Sequence, residues 1–332
     1  MSTSPLRIGT RASELALTQT QMVADALAAA SGRDVELVRV RTEGDVSTAS
    51  LASLGGTGVF AAALREALLA GRCDLAVHSL KDLPTADVPG LVVGAVPERA
   101  DHRDALCARD GHTLVGLPLG ARVGTGSPRR AAQLRLARGD LEVVDIRGNV
   151  GTRLARVGAD LDAVVLARAG LARLGRLDPV TEAFDPDVML PAPGQGALAV
   201  ECRAEDLPGP TGDALRAIDH APTRLAVVAE RTLLAALEAG CAAPVAAWAH
   251  LVPGTARLEL RAGVFDPAGT RRLLRTESAD VPDDPASALD VAARLGRSAA
   301  DALLADGAAE VAGLPQPEAA GRRPVPGVPD AR

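Results

Sequence analysis

Lys81 and Asp82 stand side by side in the run Leu75-Ala-Val-His-Ser-Leu-Lys-Asp-Leu-Pro84, and Lys81 is the only lysine in the chain. The other 35 of the 36 basic residues are arginine, so the single ammonium marks a position where a planar guanidinium will not serve. Asp82 follows an apolar run and precedes Leu83-Pro84, which places it where strand ends feed ligand-binding loops. A carboxylate fixed there is placed to contact a ligand. A turn aspartate bonding its own backbone is the alternative reading.

The basic residues gather at strand-to-helix junctions. In Gly124-Thr-Gly-Ser-Pro-Arg-Arg130 a strand end meets a helix whose Pro128 suits the first turn. Free backbone N–H groups and Ser127 there can hold an anion at the positive end of the helix dipole. Arg129 and Arg130 oppose that dipole, so the turn needs an anion to compensate them. Ile146-Arg-Gly-Asn-Val-Gly-Thr-Arg-Leu154 repeats the arrangement, with Arg147 at the strand end, Asn149 as N-cap and Arg153 a turn later. Near the N-terminus, Arg11 and Ser13 occupy a third such junction, with Gln19 on the helix beyond; Ser13 can equally be an N-cap only. Between Ala121 and Arg176 eleven arginines face five acidic residues, although the whole chain carries a net charge of −6. A local surface is built to meet carboxylates or phosphates, while the acidic total and an aromatic content of 1% exclude a general nucleic-acid binder.

These residues need a scaffold, and 332 residues suit two or three domains of about 100–150 each. Strands are expected over 6–10, 35–42, 74–79, 91–96, 121–124, 141–146, 163–167 and 198–202. Helices are expected over 13–30, 60–70, 128–137, 149–157 and 168–174. Their alternation indicates α/β sheets with helices on both faces. The series restarts near Ala100 and returns after Gly194-Gln-Gly196, which means two lobes joined by two crossings. Beyond a Pro/Gly-rich break at 207–212 the pattern changes. A helix over 223–239, alternating runs at 256–265 and 271–279, and a helix over 285–304 describe a small α+β domain. The expected division is 1–98 plus 198–218, 99–197, 219–313, and a structureless tail over 314–332. No apolar run reaches the roughly 20 residues of a membrane span and no signal-like segment opens the chain, so a cytoplasmic, membrane-free protein is expected. Cys73, Cys107, Cys202 and Cys241 form no C-x-x-C pair and imply no metal; Cys241 alone sits on a loop, after Gly240.

The segments GTRASELALTQ, GGTGVF, VHSLKDLP, GTGSPRR, RGNVGTRL, LPAPGQGALAVECR and EAGCAAPV, in this order, resemble the hydroxymethylbilane synthases, also called porphobilinogen deaminases. The resemblance runs from about Leu6 to Gly313. It implies two lobes of type II periplasmic-binding-protein kind, a cleft between them, and a small α+β domain carrying a cofactor cysteine. The reaction implied is a head-to-tail condensation of four porphobilinogen units with loss of ammonia, primed by a dipyrromethane in thioether linkage to Cys241. Water then releases the linear tetrapyrrole hydroxymethylbilane. Each ring bears an acetate and a propionate, for which arginine forks are matching partners.

By resemblance, Asp82 stabilises the azafulvenium cation, with Lys81 beside it. Arg129, Arg130, Ser127, Thr125, Lys81, Asp82, Arg153, Ser13 and Cys241 would hold the cofactor. Arg11, Gln19, Arg147, Arg153, Arg173 and Phe60 would meet substrate. The resemblance further implies a monomer whose product passes to a uroporphyrinogen-III synthase. Thr57 stands where many relatives have lysine in a loop over the cleft. Two rival readings are a non-enzymatic bilobed receptor for small anions and a nucleic-acid module using the arginine-rich lobe.

Overall fold

The structure, a computed structural model, describes residues 4–40, 58–240 and 243–314, and the backbone alone for 58–60. Thr57, the Phe60 side chain, Cys241 and the tail from residue 315 therefore lie outside the described residues.

Along the chain, β1 (Leu6–Thr10), α1 (Glu14–Ser31), β2 (Val35–Arg39), α2 (Gly58–Leu69), β3 (Leu75–Ser79) and β4 (Leu91–Ala95) build the first lobe. After a crossing at 96–103 come β5 (Asp104–Ala108), β6 (Arg122–Gly124), α3 (Pro128–Ala137), β7 (Glu142–Val144), α4 (Val150–Leu154), β8 (Ala163–Ala167), α5 (Arg168–Arg173) and β9 (Glu182–Ala183). The chain then returns through β10 (Leu198–Arg203) and α6 (Pro210–Ile218). The third unit holds α7 (Ala221–Ala236), β11 (Val245–Leu251), β12 (Arg257–Phe265), β13 (Arg272–Asp280), α8 (Pro285–Ala305) and α9 (Ala308–Ala312).

Two five-stranded sheets result, ordered β2-β1-β3-β10-β4 and β7-β6-β8-β5-β9, together with the antiparallel meander β11-β12-β13. In the first sheet β10 runs antiparallel to β3, and in the second β5 runs antiparallel to β8. Both are the first strands after a crossing. A chain arriving from the other lobe enters at the ends of the parallel strands, beside the cleft, and can only run away from it. Leu198 accordingly pairs with Ser79, the last residue of β3, and Asp104 with Ala167, the last of β8.

With three Phe, one Trp and no Tyr, the cores are aliphatic. Leu6, Ile8, Leu75 and Val200 fill the first lobe, Leu106, Val123, Leu134 and Phe184 the second, and Leu233, Leu258, Leu260 and Leu303 the third. Five elements depart from expectation, two of them, β9 and α9, being too short to show a period. β5 and β11 were unforeseen because Asp104-Ala-Leu-Cys-Ala108 and Val245-Ala-Ala-Trp-Ala-His-Leu251 are poor in β-branched residues, and cross-strand pairing overrides that propensity. The Pro/Gly break at 207–212 is also a helix start, because Gly209 serves as N-cap and Pro210 occupies the first turn of α6.

Candidate functional site

The first lobe contributes two junctions. Ser13 caps α1, its hydroxyl accepting the Ala16 N–H at 3.3 Å, while Arg11 is half-buried just before it. Gln19, buried on α1, and Ser79, at the end of β3, are joined through amide and hydroxyl at 2.9 and 3.1 Å. That bond fixes α1 against the strand leading to a single 3-10 turn, Leu80–Asp82. Leu80 is buried, its N–H donating to the Ala197 carbonyl at 3.0 Å, and Lys81 and Asp82 are half-buried.

In the second lobe Ser127 caps α3, and the buried Thr125 accepts the Ser127 N–H at 3.2 Å. Gly126 is required here: a Cβ would lie 2.5 Å from the Ile146 carbonyl, so the two anion-binding turns touch backbone to backbone. The compensating anion anticipated for Arg129 and Arg130 is an internal one. Asp104, fully buried, meets Arg129 Nη2 at 2.7 Å and Arg130 Nη2 at 2.7 Å. Both guanidiniums are themselves buried, at 3% and 5% exposure, and add bonds to the Leu190 and Val165 carbonyls. Burial alone would raise the Asp104 carboxyl, but the charges of Arg129 and Arg130, with hydrogen bonds from Arg129 and Gln195, hold it at about 2. This arginine pair is thus a buried, acid-matched unit, and not two open forks.

The other cations of the site lie at other junctions. Arg147 is exposed, with Asp145 at 3.5 Å. Asn149 caps α4 through the Thr152 N–H at 2.8 Å, and Arg153 Nε donates to the Gly148 carbonyl at 2.8 Å. Burial lowers the Arg153 pKa and Arg130 and Arg147 lower it further, against Asp82 and Asp145, so Arg153 feels charges from both lobes. Arg173 Nη2 donates to the Gly196 carbonyl at 2.7 Å, its Nε is buried without a partner, and burial brings the guanidinium to about 10. Lys81 is brought to about 8 by burial, with Arg130 and Arg129 acting the same way against Asp82 and Asp104.

Three half-buried cations lowered by burial, Lys81 and Arg153 also by neighbouring arginines, and a buried guanidinium N–H without an acceptor fit a bound polycarboxylate. Since Lys81 is the only ε-amine, reductive ¹³C-methylation should give one side-chain signal titrating near 8 in cofactor-free protein, and its pKa should rise when a polycarboxylate binds. A value near the ordinary 10.5 in the cofactor-free protein would contradict the geometry.

Three residues of the site frame escaped sequence reading. Asp104 had one signal, an acid heading an apolar run. Gln195 lies between the glycines of the returning crossing and donates to Asp104 at 2.9 Å and to the His102 carbonyl at 2.8 Å. Beside it Gly196, at φ 88°, would drive a Cβ to 2.5 Å from the Ala100 carbonyl, so the two crossings lie in contact. Glu230, wholly buried on α7, binds Arg99 at 2.6 Å and accepts the Gly194 and Ala249 N–H groups at 2.6 and 2.8 Å. It was a lone acid in an apolar helix.

Cys73, Cys107 and Cys202 are buried, and burial pushes the Cys107 and Cys202 thiols up to about 11, away from reactivity. Among the described residues no cluster of His, Cys, Asp and Glu could hold a metal, and no helix is long and apolar enough to cross a membrane.

Two α/β lobes joined by two crossings, with arginines at the helix openings of one lobe and the Lys81–Asp82 turn on the other, and a third domain docked on the crossings, define a bilobed α/β protein with an added α+β domain. The model for the porphobilinogen deaminase dipyrromethane-cofactor-binding domain matches residues 6–208, and that for the deaminase C-terminal domain matches 224–305. The chain is 59% identical over 313 residues to the porphobilinogen deaminase of Leifsonia xyli, covering 93% of this chain and 94% of that one. It is 55% identical to the Thermobifida fusca porphobilinogen deaminase, covering 94% and 97%. A solved methionine-binding protein, MetQ, is similar at TM-score 0.43 and 13% identity over 64% of this chain and 89% of that one. The chain belongs to the porphobilinogen deaminase family.

Proposed function

We infer that this protein is a hydroxymethylbilane synthase, condensing four porphobilinogen molecules with loss of ammonia and releasing the linear tetrapyrrole by hydrolysis. The observation that carries the reading is Asp82, a carboxylate whose charge acts on both Lys81 and Arg153. A receptor that only captured anions would be weakened by it. A reaction that leaves positive charge on a ring requires it.

The bound dipyrromethane supplies the pyrrole carbon to which each new unit is joined. Arg153 and Arg173 offer the donors that fit its carboxylates, with Lys81 on the first-lobe turn and Thr125 and Ser127 at the opening of α3. Arg11 and Arg147, on opposite lobes, bracket the incoming acetate and propionate, and Gln19 and Ser13 hold α1 in place beside them. Arg130 acts through the field it imposes on Lys81 and Arg153, and Arg129 through the field it imposes on Lys81. Asp82 accepts the ring N–H and stabilises the cation formed as the amine departs. Cys241 is the attachment point, and Phe60 packs over a ring.

On the same reading, 1–98 with 198–218, 99–197 and 219–313 are the three domains. The active unit is a cytoplasmic monomer, and its product passes to a uroporphyrinogen-III synthase.

Intact-protein mass tests the assignment. The purified protein should exceed its sequence mass by one dipyrromethane, and Cys241→Ser should show the bare mass and no turnover. A fully active protein of unmodified mass would remove the priming role of Cys241.

A further inference from the structure

α7 belongs to the third domain, yet one of its side chains ends on the turn that carries Lys81 and Asp82. Arg231 donates through Nη1 to the carbonyls of Leu83 at 2.8 Å and Leu80 at 3.4 Å, and through Nη2 to that of Pro84 at 2.8 Å. One turn earlier on the same face, Val227 packs in one cluster with Leu80 and Leu83. The turn keeps one bond of its own, from the Leu83 N–H to the Leu80 carbonyl at 3.1 Å, and leaves the carbonyls that follow without intrahelical partners; a guanidinium fork can serve several of them from fixed directions where an ammonium cannot. From the other side the turn is closed by Gly194, whose absent Cβ would lie 3.2 Å from the Leu80 side chain and 3.3 Å from the Lys81 nitrogen. The neighbouring Glu230 ties α7 to Arg99 and to the Gly194 N–H, so the helix is held in register with both crossings.

We propose that Arg231 is a positioning residue for the condensation, fixing from the third domain the backbone turn that aims Asp82 into the cleft. α7 ends at Ala236, shortly before Gly240 and Cys241. The element that grips the Asp82 turn therefore also leads to the attachment cysteine, and carboxylate and bound chain share one frame of reference. The proposal rests on the reading of Asp82 given above.

Arg224, two turns earlier on α7, supplies the control. It donates to the Val93 and Gly94 carbonyls of the first lobe at 3.3 and 3.0 Å and pairs with Asp219 at 2.7 Å. It thus anchors the same helix to the same lobe away from the turn.

The experiment compares cofactor-loaded Arg231→Ala, Arg231→Lys and Arg224→Ala, each confirmed by intact mass. Displacing a reacting group by about 1 Å costs on the order of 10²-fold in rate. Arg231→Ala is expected to lose about that factor in kcat with KM little changed, and to speed hydrogen exchange at the Leu83 amide. Added methylguanidinium should restore part of the rate, and Arg231→Lys should not regain the native value. Arg224→Ala should leave kcat and that exchange rate near native. Native kcat in Arg231→Ala, or equal losses in the Arg231 and Arg224 variants, overturns the proposal. If Arg231→Ala does not fold, a loaded Arg231→Lys with native kcat overturns it, and one with depressed kcat and faster Leu83 exchange supports it. A slow Asp82→Asn enzyme beside native Arg231 variants defeats this proposal alone, whereas a native-rate Asp82→Asn defeats the reading beneath it.

Discussion

Asp82→Asn should consume porphobilinogen roughly 10³-fold more slowly than the parent protein, the scale on which one preorganised electrostatic partner acts in a water-poor site. The amide keeps the size of the carboxylate and a carbonyl acceptor for a ring N–H, but it has no charge to set against the cation formed when the amine leaves. Carboxylate recognition belongs to the arginines and Lys81, so substrate binding should change little and the loss should fall on kcat. Single-turnover measurement on the loaded enzyme separates the two effects. A rate within a few-fold of native would take Asp82 out of the chemistry and return it to the role of a turn residue.

Asp104→Asn should produce the largest loss of stability. Asp104 has no exposed surface and is the acid matched to Arg129 and Arg130, so its neutralisation leaves two buried guanidiniums without a counter-charge. Breaking a buried pair in this way costs about 3–5 kcal/mol. Urea unfolding at neutral pH should report it, with weaker retention of the cofactor because Lys81 and Arg153 both feel Arg130. The pH dependence follows in sign. The folded Asp104 carboxyl lies at about 2, below its ordinary 3.8, so its contribution is present above about 4 and disappears as pH falls toward 2. The stability gap between parent and variant should therefore be widest above pH 4 and close below it. A gap unchanged down to pH 2 would mean that the ion pairs do not hold this part of the fold.

Much of the site was legible because its signals are local. Ser13 and Asn149 each cap a helix within three residues of their own position, as the sequence suggests, while Ser127, read from the sequence as free for an anion, caps α3 in the same way. The alternation of strands and helices and the two crossings are likewise short-range patterns, and they led to the two lobes and small third domain of the family. The arginine pair shows where local reading stops. Its need for an anion follows from two charges at the start of a helix, but Asp104 lies 25 and 26 residues away, on a strand of low propensity. Nothing local distinguishes that acid from any other.

What the sequence determined by itself, then, is the chemistry available: one ammonium, one adjacent carboxylate, and arginines placed at helix openings. Tertiary structure decided which of those charges are spent inside the protein and which remain for a ligand. Arg129 and Arg130 are matched by Asp104, while Arg153 and Arg173 keep charge or donors without an internal acid. The reason is physical. Local conformation depends on neighbours a few residues along the chain, but the pairing of a buried charge depends on which distant segment the sheet brings within about 3 Å, the range over which a charged hydrogen bond acts.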